Sequence, residues 1–274
     1  MTNNRYLGMQ PGDLDGKPYA KYWNPEMAPL SPAVVQALLQ SPYSSEEGLL
    51  FSESHRLLEP GRLAIESGYT RLATGEMYVA VNTPMPEASG KMIDWWFGWH
   101  SEESQRYKLW HPRAHIRAEM KFSTADNPAP GDRERYVGNT SFVDEYIGTG
   151  MQRLAIQFRP PSEFGLDESR FAAAAVQTAV CANVGPANAP FNVGKLVHLI
   201  RETPDGCEMR SRFWLGRLTL RTLPDTHVVN RLPGSRQLAR IAVGRELGHD
   251  MLVHCAMEMA HLASFLPQLY ADYH

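Results

Sequence analysis

Two short segments of this chain carry imidazole and carboxylate side chains at spacings that suit a metal ion. HPRAH places His111 and His115 four residues apart, and HCAMEMAH, further along the chain, carries His254, Glu258 and His261. Histidine nitrogens and carboxylate oxygens are common zinc ligands, and residues at positions i and i+4 of a helix can reach one cation. The alternative is that His254 and Glu258 only pair with each other on an ordinary amphipathic helix.

The conformation of HPRAH determines how many of its histidines can bind one metal ion. On a helix, His111 and His115 could share a metal, whereas in a strand they would stand about 13 Å apart. The next residues alternate in polarity, with one face made of Ile116, Ala118, Met120 and Phe122 and the other of His115, Arg117, Glu119 and Lys121. Alternation favours a strand. We therefore predict that His115 is a metal ligand and that His111 lies behind the ligands or at a helix end. The alternative is that His115 is an ordinary core or surface histidine that binds no metal.

Three other segments offer polar groups that could face the same site. The strand-like TSFVDEYIG must turn either Asp144 or Glu145 inward, and a buried carboxylate requires a cation or a hydrogen-bond donor. His198 lies in KLVHLIRE among leucine, valine and isoleucine, where a core histidine is the ordinary interpretation. Tyr107 precedes HPRAH in a segment that we expect to be buried, where simple packing of its ring is the alternative role.

The rest of the sequence predicts the elements that must position these groups. Strands are expected over 76–85, from 115 onward, and over 136–147, 151–159, 171–183, 193–202 and 208–221. The tryptophan-rich segment before HPRAH is expected to be helical and buried, and PDG is expected to form the turn between the last two strands. The longest helical pattern runs from about Ser235, the expected N-cap, to Phe265, with Pro267 as its stop.

Antiparallel strands followed by one long helix predict an α+β fold in which a curved sheet wraps the C-terminal helix. A cavity between the sheet and the helix is expected. Six residues of this helix recur at steps of three and four and so share one face: Leu247, Met251, His254, Glu258, His261 and Phe265. The stripe is apolar at its ends and polar in its middle, so a buried Glu258 needs a partner or a metal.

Residues 1–75 have a different character from the rest of the chain. They are rich in proline, glycine and serine, and their clearest helix is SPAVVQALLQS, with Ser31 as the N-cap and Pro32 at the first helical position. Such a segment is too small to bury a core of its own. We therefore expect a small N-terminal domain at 1–75, packed on a main domain at 76–274 or on a partner subunit.

The composition excludes several classes of protein. The chain has 274 residues, of which 43% are hydrophobic, and a net charge of -3, which gives no general attraction for nucleic acid or an anionic membrane. Three cysteines without a CxxC pair are typical of reduced thiols, and no apolar signal segment is visible, so we expect a soluble cytoplasmic protein. The sequence has no GxSxG, GxGxxG, P-loop or HExxH motif.

Four segments, taken in order, resemble the diacetylphloroglucinol and phloretin hydrolase family. They are WWFGWH, RYKLWHPRAH, FVDEYIG and HCAME, which occur in that family's order and at similar spacing, within a resemblance that covers roughly residues 76 to 265. The resemblance implies a Bet v1-like helix-grip fold preceded by a small N-terminal domain used in forming a homodimer. It also implies one zinc ion (Zn²⁺) held by two histidines and two glutamates, which by position are His115, Glu145, His254 and Glu258.

The same resemblance assigns the residues around the metal. Tyr107 matches a tyrosine that positions the phenolic substrate, and His198 falls near a polar residue of the pocket. Two positions depart from the family: a substrate-binding asparagine is replaced by Ala118, and a second tyrosine is replaced at Phe213 or Trp214. The metal site is thus expected to be intact, while the part of the pocket that reads the hydroxyl and acyl groups of the substrate has changed.

These residues suit the hydrolysis of the carbon–carbon bond between an acyl group and a polyhydroxylated aromatic ring. Zinc lowers the pKa of a bound water to about 7, so a nucleophile is available at neutral pH. A tyrosine can orient a ring hydroxyl, and His198 is the candidate to protonate the departing ring carbon. Two alternatives stand beside this prediction: a helix-grip protein that carries a hydrophobic small molecule, and a zinc hydrolase of esters or lactones.

Overall fold

The chain is described here by a computed structural model, which covers residues 8–123, 131–223, 227–231, 236–244 and 246–274. Eight strands form one antiparallel sheet in the order β1-β2-β8-β7-β6-β5-β4-β3. Their bounds are β1 Gly68–Arg71, β2 Met77–Pro86, β3 His115–Met120, β4 Thr140–Ile147, β5 Gly150–Arg159, β6 Val176–Pro186, β7 Phe191–Thr203 and β8 Gly206–Leu220. Each predicted strand therefore exists, although residue 136 belongs to a helix and 171–175 to short 3₁₀ turns.

Seven α-helices lie in the described part of the chain. They are α1 Pro32–Gln40, α2 Gly90–His100, α3 Ser104–Trp110, α4 Asp132–Tyr136, α5 Val228–Arg231, α6 Arg236–Ala242 and α7 Leu247–Tyr273. The start of α1 is as predicted, because the Ser31 hydroxyl accepts a hydrogen bond from the backbone N–H of Val34 and Pro32 follows it. The tryptophan-rich segment forms α2 and α3. None of these helices is long and apolar enough to cross a membrane.

The two faces of the sheet bury separate hydrophobic cores. On the inner face, alternate residues of β2 such as Val79 and Val81 pack with Leu252 and Leu262 of α7. On the outer face, residues from 49–72 and 164–176 pack against Tyr78, Val197 and Trp214. Alternation along each strand produces this division, since successive side chains point to opposite faces.

The segment 1–75 contributes to the same sheet and cores. Its strand β1 pairs with β2 through Gly68–Ala80 and its neighbours, and Leu57 and Ile65 are buried on the outer face of the sheet. Residues 1–7 lie outside the described residues. Packing on the main domain was one of the two placements expected for this segment; its role in a dimer stays a prediction.

The long C-terminal helix differs from the prediction at both ends. Its predicted N-cap, Ser235, lies outside the described residues, and the helical pattern is interrupted between α6 and α7, where the Arg71 guanidinium donates hydrogen bonds to the carbonyls of Val243 and Gly244. Pro267 does not stop the helix, which continues to Tyr273. Proline removes one backbone donor, and the burial of Leu266 and Leu269 on either side keeps the last turns helical.

The architecture is the predicted α+β fold, with a curved antiparallel sheet around a long C-terminal helix. The β7–β8 turn falls at Pro204 and Asp205, as the PDG signal indicates. Helix α7 packs against β2 and β4, and the polar middle of its stripe, with His254, Glu258 and His261, is buried. The fold thus brings His254 and Glu258 to the cavity between sheet and helix, whereas His261 accepts a hydrogen bond from the backbone N–H of Ala28 in the N-terminal segment.

Candidate metal centre and cavity

Two histidines and two glutamates converge between the β3–β4 edge of the sheet and α7. The Nε2 atom of His115 lies 3.5 Å from Oε2 of Glu145 and 3.4 Å from Oε2 of Glu258. The Nε2 atom of His254 lies 3.9 Å and 3.7 Å from the same two oxygens. The potential ligand atoms of His115, Glu145 and His254 all lie within 4.8 Å of one another. These side chains could hold one metal ion.

A β-bulge turns His115 toward this site. Register shifts between His115, which pairs with Glu145, and Arg117, which pairs with Asp144, so one extra residue is inserted at Ile116. His115 is consequently buried on the same side as Ala118, whereas simple alternation placed the two on opposite faces. That part of the prediction was wrong. Phe122, which was predicted to share a face with Ala118 and Met120, is exposed, whereas those two are buried.

The HPRAH segment is neither a helix nor a strand. His111 caps the C-terminus of α3, and residues 112–114 form a turn that is closed by a hydrogen bond from the His115 N–H to the His111 carbonyl. The two imidazole centroids are therefore 5.5 Å apart, and the expected separation for a strand does not apply. His111 is at the helix end, as predicted, but it also turns inward and stacks on His254 at 5.0 Å.

The ring of His115 is held in one orientation and one tautomer. Its Nδ1–H donates to the backbone carbonyl of Tyr107 at 3.0 Å, and the ring stacks on that of Tyr107 at 3.8 Å. A neutral imidazole that donates from Nδ1 keeps its lone pair on Nε2. That Nε2 atom is buried and has no hydrogen-bond partner. A buried acceptor of this kind, facing two carboxylates, is what a metal ligand requires.

Glu145 is the inward carboxylate of its strand, and Asp144 is only half-buried. Glu145 accepts a hydrogen bond from the hydroxyl of Tyr107 on Oε2, the oxygen that also faces the two histidines. The question of which acidic residue of FVDEYIG points to the site is thereby answered. Glu258 reaches the same space from α7, one helical turn after His254.

Burial disfavours the charged forms of these side chains. It raises the pKa of Glu258 well above its usual range, and the nearby Glu145 carboxylate adds to this. Burial likewise lowers the pKa of His115 well below its ordinary value, with His111 and His254 adding to the shift. For His254 the pKa is also lowered by burial, against the opposing effects of Glu145 and a hydrogen bond to the Tyr146 backbone. A cation would remove the conflict between burial and ionisation.

The centre opens into a cavity between the sheet and α7, the kind of concave, mostly apolar space in which small molecules bind. Polar residues line one part of it: His100, Tyr107, Ser141, Glu145, Lys195, His198, His254 and Glu258, of which Lys195 donates from its amino group to Asn183. The remaining wall is mostly apolar and includes Phe97, Trp110, Val143, Leu154, Ile156, Phe158, Val184, Leu196, Phe213, Leu215 and Met251. Such a cavity suits an aromatic molecule with a few polar substituents.

The cavity wall contains most of the predicted pocket residues. His198 lies on it, with Nδ1 at 2.7 Å from the Ser211 hydroxyl, and burial lowers its pKa to about 3. Phe213 also faces the cavity, at 5.9 Å from the His198 ring, whereas Trp214 belongs to the outer core. Ala118 is buried but lies outside the wall, and its backbone is hydrogen-bonded to the Ser104 hydroxyl of α3.

His100 and Ser141 are polar residues of the wall that were not predicted. His100, at the end of WWFGWH, stacks on Trp96 and Tyr107, and burial lowers its pKa to about 3. Its spacing of four from Trp96 along α2 is the signal that could have found it. Ser141 lies on the same face of β4 as Glu145, four residues earlier, which strand alternation alone would have indicated.

Comparisons with known proteins show the family of this chain. A family model described as the DAPG hydrolase PhiG domain matches residues 49–271. A 2,4-diacetylphloroglucinol hydrolase of Pseudomonas protegens is 35% identical over 94% of this chain and 85% of its own, and the phloretin hydrolase of Eubacterium ramulus is 29% identical over 93% and 89%. The crystal structure of Ara h 8.0201 matches 70% of this chain and 99% of its own, with 6% identity and a TM-score of 0.38. The matched family model and the identity to curated relatives, over nearly the whole chain, show that this protein belongs to the DAPG hydrolase family.

Proposed function

We propose that this protein is a zinc-dependent hydrolase that cleaves the carbon–carbon bond between an acyl group and a polyhydroxylated aromatic ring. The observation that carries the proposal is the buried group of His115, Glu145 and His254, which faces an aromatic-lined cavity. Two relatives bear the names of hydrolases of 2,4-diacetylphloroglucinol and phloretin, both of which are acylphenols.

The proposed zinc ligands are His115, Glu145, His254 and Glu258. Two imidazole nitrogens and two carboxylate oxygens form a donor set that zinc accepts readily. The partnerless Nε2 atom of His115 and the buried carboxyl of Glu258 support this assignment, because both are costly to bury without a cation. A zinc ion held there would supply a water of lowered pKa and polarise the ketone oxygen.

The chain's own residues bind the substrate and move the proton. Tyr107 is proposed to orient a ring hydroxyl, from a position beside Glu145. In the reaction the acyl–aryl bond breaks, the water oxygen joins the acyl carbon to give a carboxylic acid, and the ring carbon takes a proton to give the free phenol. His198 is proposed to hand over that proton. Because burial keeps its ring neutral, the proton must come from the reacting water.

The pocket favours a longer acyl group than acetyl. Phe213 carries no hydroxyl, and its ring borders an apolar wall that includes Leu196 and Leu215. Without a polar contact for an acetyl group, an arylpropanoyl chain is expected to be accepted at least as well. Loss of one buried hydrogen bond typically costs about 1–3 kcal/mol, enough to change the preference about ten-fold.

Metal analysis and a product assay test the proposal together. Gentle purification should give about one zinc per chain, and the zinc-loaded protein should release free phenol from acetyl- and long-chain acylphloroglucinols. His115→Ala should lose both zinc and activity, whereas His111→Ala, beside the ligands, should keep most of its zinc. Cleavage of aryl esters alone would favour the ester-hydrolase alternative. A protein that binds acylphenols but neither retains zinc nor turns them over would be a carrier.

We further propose a homodimer that uses the N-terminal segment. Helix α1 leaves Leu39 83% exposed and Val35 46% exposed, an apolar surface that a second subunit could cover. Sedimentation at micromolar concentration should give a dimer, and Leu39→Glu should shift it to a monomer with unchanged zinc content. A monomeric wild-type protein would contradict this. A cytoplasmic location also stays a prediction, consistent with three buried cysteines that are all free thiols.

A further inference from the structure

One hydroxyl of the cavity has no partner within the protein. The Oγ atom of Ser141 is buried, lines the cavity and makes no hydrogen bond in the described structure. Buried hydroxyls are almost always hydrogen-bonded, because an unsatisfied one loses its bonds to water without compensation. Serine can both donate and accept a hydrogen bond. The partner of Ser141 must therefore come from whatever fills the cavity.

We propose that Ser141 is a specificity-determining residue, whose hydroxyl binds a second hydroxyl group at the far end of the substrate's acyl chain. The inference rests on the proposed function, since it takes the scissile carbonyl to lie at the metal centre. The expected substrate class is an acylphenol whose chain ends in a hydroxylated aryl group.

The position of Ser141 along β4 supports this assignment. It lies four residues before Glu145 on the same face of the strand, which corresponds to about 13 Å along the sheet. Its register partner is Ile156 on β5, which in turn pairs with Val184 on β6. Both are apolar residues of the cavity wall. Lys195 also borders the cavity, but its Nζ atom donates to Asn183 and lies over the rings of Phe51 and Phe164. An apolar chain that extends from the metal centre along the row of Ile156 and Val184 would therefore meet the hydroxyl of Ser141 at its end.

The length of the proposed chain fits this separation. An acyl group with two methylenes and a hydroxyphenyl ring spans about 8 Å from its carbonyl carbon to its hydroxyl oxygen, since each carbon–carbon bond adds about 1.5 Å or less. A hydrogen bond adds about 2.8 Å. An acetyl group is far too short to reach Ser141 from the metal centre. The hydroxyl thus distinguishes long hydroxylated acyl groups from short ones.

A pair of substrates that differ in one hydroxyl tests the proposal. They are phloroglucinol acylated with 3-(4-hydroxyphenyl)propanoate and the same compound with an unsubstituted phenyl ring. Ser141→Ala should lower kcat/KM for the hydroxylated substrate about ten-fold, mainly through KM, and leave the other within about two-fold. Ser54→Ala is the matched control, because Ser54 is an equally buried serine whose hydroxyl donates to the Phe164 carbonyl on the outer face of the sheet. It should leave the ratio between the two substrates at its wild-type value.

Equal losses on both substrates, or no loss on either, would overturn the role of Ser141. Binding of the same pair to the zinc-free protein, followed by tryptophan fluorescence, gives the ratio of dissociation constants without turnover. Failure of the wild-type protein to cleave either compound would refute the proposed function. If the Ser141→Ala variant then lost about ten-fold in affinity for the hydroxylated compound alone, the assignment of Ser141 would stand by itself.

Discussion

Replacing Glu258 with glutamine distinguishes two roles for this residue, a metal ligand and a simple ion-pair partner of His254. Glutamine has nearly the shape of a protonated glutamic acid but cannot ionise. Burial raises the pKa of Glu258 and lowers those of His115 and His254, so these groups are largely neutral in the metal-free protein. The Glu258→Gln variant therefore has no buried ion pair to lose, and we expect its metal-free stability to stay within about 1 kcal/mol of the wild type.

The effect of the same substitution in the presence of zinc is expected to be large. Loss of a carboxylate ligand should weaken zinc binding by at least about 100-fold, since even residues behind the ligands contribute 10- to 100-fold. Stabilisation by a ligand grows as RT ln(1 + [L]/Kd), so a 100-fold weaker site forfeits about 2.7 kcal/mol at saturating zinc. For a chain of this size that corresponds to about 5–10 °C in Tm.

Thermal and urea unfolding, with chelator and with excess zinc, measure both effects. Glu208→Gln is the matched control: Glu208 is a buried glutamate on the outer side of β8, paired with Arg62 at 2.8 Å, so its substitution should lower stability equally in both conditions. If Glu258 were instead a charged partner of His254, breaking that buried pair would cost about 3–5 kcal/mol without metal. That outcome, or an unchanged zinc-induced shift, would refute the metal-ligand assignment.

Three further predictions concern pH, packing and the pocket. Burial lowers the pKa of His100 and His198 to about 3, so between pH ~6.5 and 3 both histidines bind protons only on unfolding. The free energy of unfolding should therefore be highest above pH ~6.5 and should fall as the pH drops towards 3, by up to about 1.4 kcal/mol per pH unit for each histidine. Urea unfolding of the zinc-free protein measures this fall. Glu66→Gln leaves the buried guanidinium groups of Arg210 and Arg212 on β8 without a counter-charge. The free energy of unfolding measured in urea should therefore fall by about 3–5 kcal/mol. A loss below about 1 kcal/mol would contradict the pairing. Phe213→Tyr should raise kcat/KM for acetyl relative to long-chain substrates several-fold (about 1 kcal/mol); an unchanged ratio would exclude this residue from acyl selection.

Much of this fold could be predicted from the spacing of apolar residues and from the residue types at turns and helix ends. Alternation of apolar residues gives the strands, and the Ser31-Pro32 pair gives the start of α1, because both signals depend only on neighbouring residues. The stripe on α7 is equally local, since residues three and four apart share a face. The polar middle of that stripe was therefore visible before the structure, including its buried Glu258.

The conformation around His115 could not be obtained in this way. Its inward direction depends on a bulge and on a turn after α3, and both are fixed by contacts from elsewhere in the chain: the β4 partner Glu145 and the carbonyl of Tyr107. The alternation of polar and apolar residues along a strand does not reveal where an extra residue, such as Ile116, is inserted. Alternation consequently placed His115 and Ala118 on opposite faces, although both are buried on one side, while family position assigned His115 to the ligand set.

The bulge also changes what the replacement at Ala118 means for the pocket. A residue three positions after the first proposed ligand was expected to contact the substrate, but Ala118 is not part of the cavity wall, and its backbone N–H donates to the Ser104 hydroxyl of α3. The short side chain of Ala118 therefore supplies no group to the wall of this cavity. Phe213 and Ser141, in contrast, both lie on the wall, one lacking a hydroxyl and the other offering one without a partner. We therefore expect the choice of acyl group to depend on these two positions, where the energy of a single hydrogen bond decides between substrates.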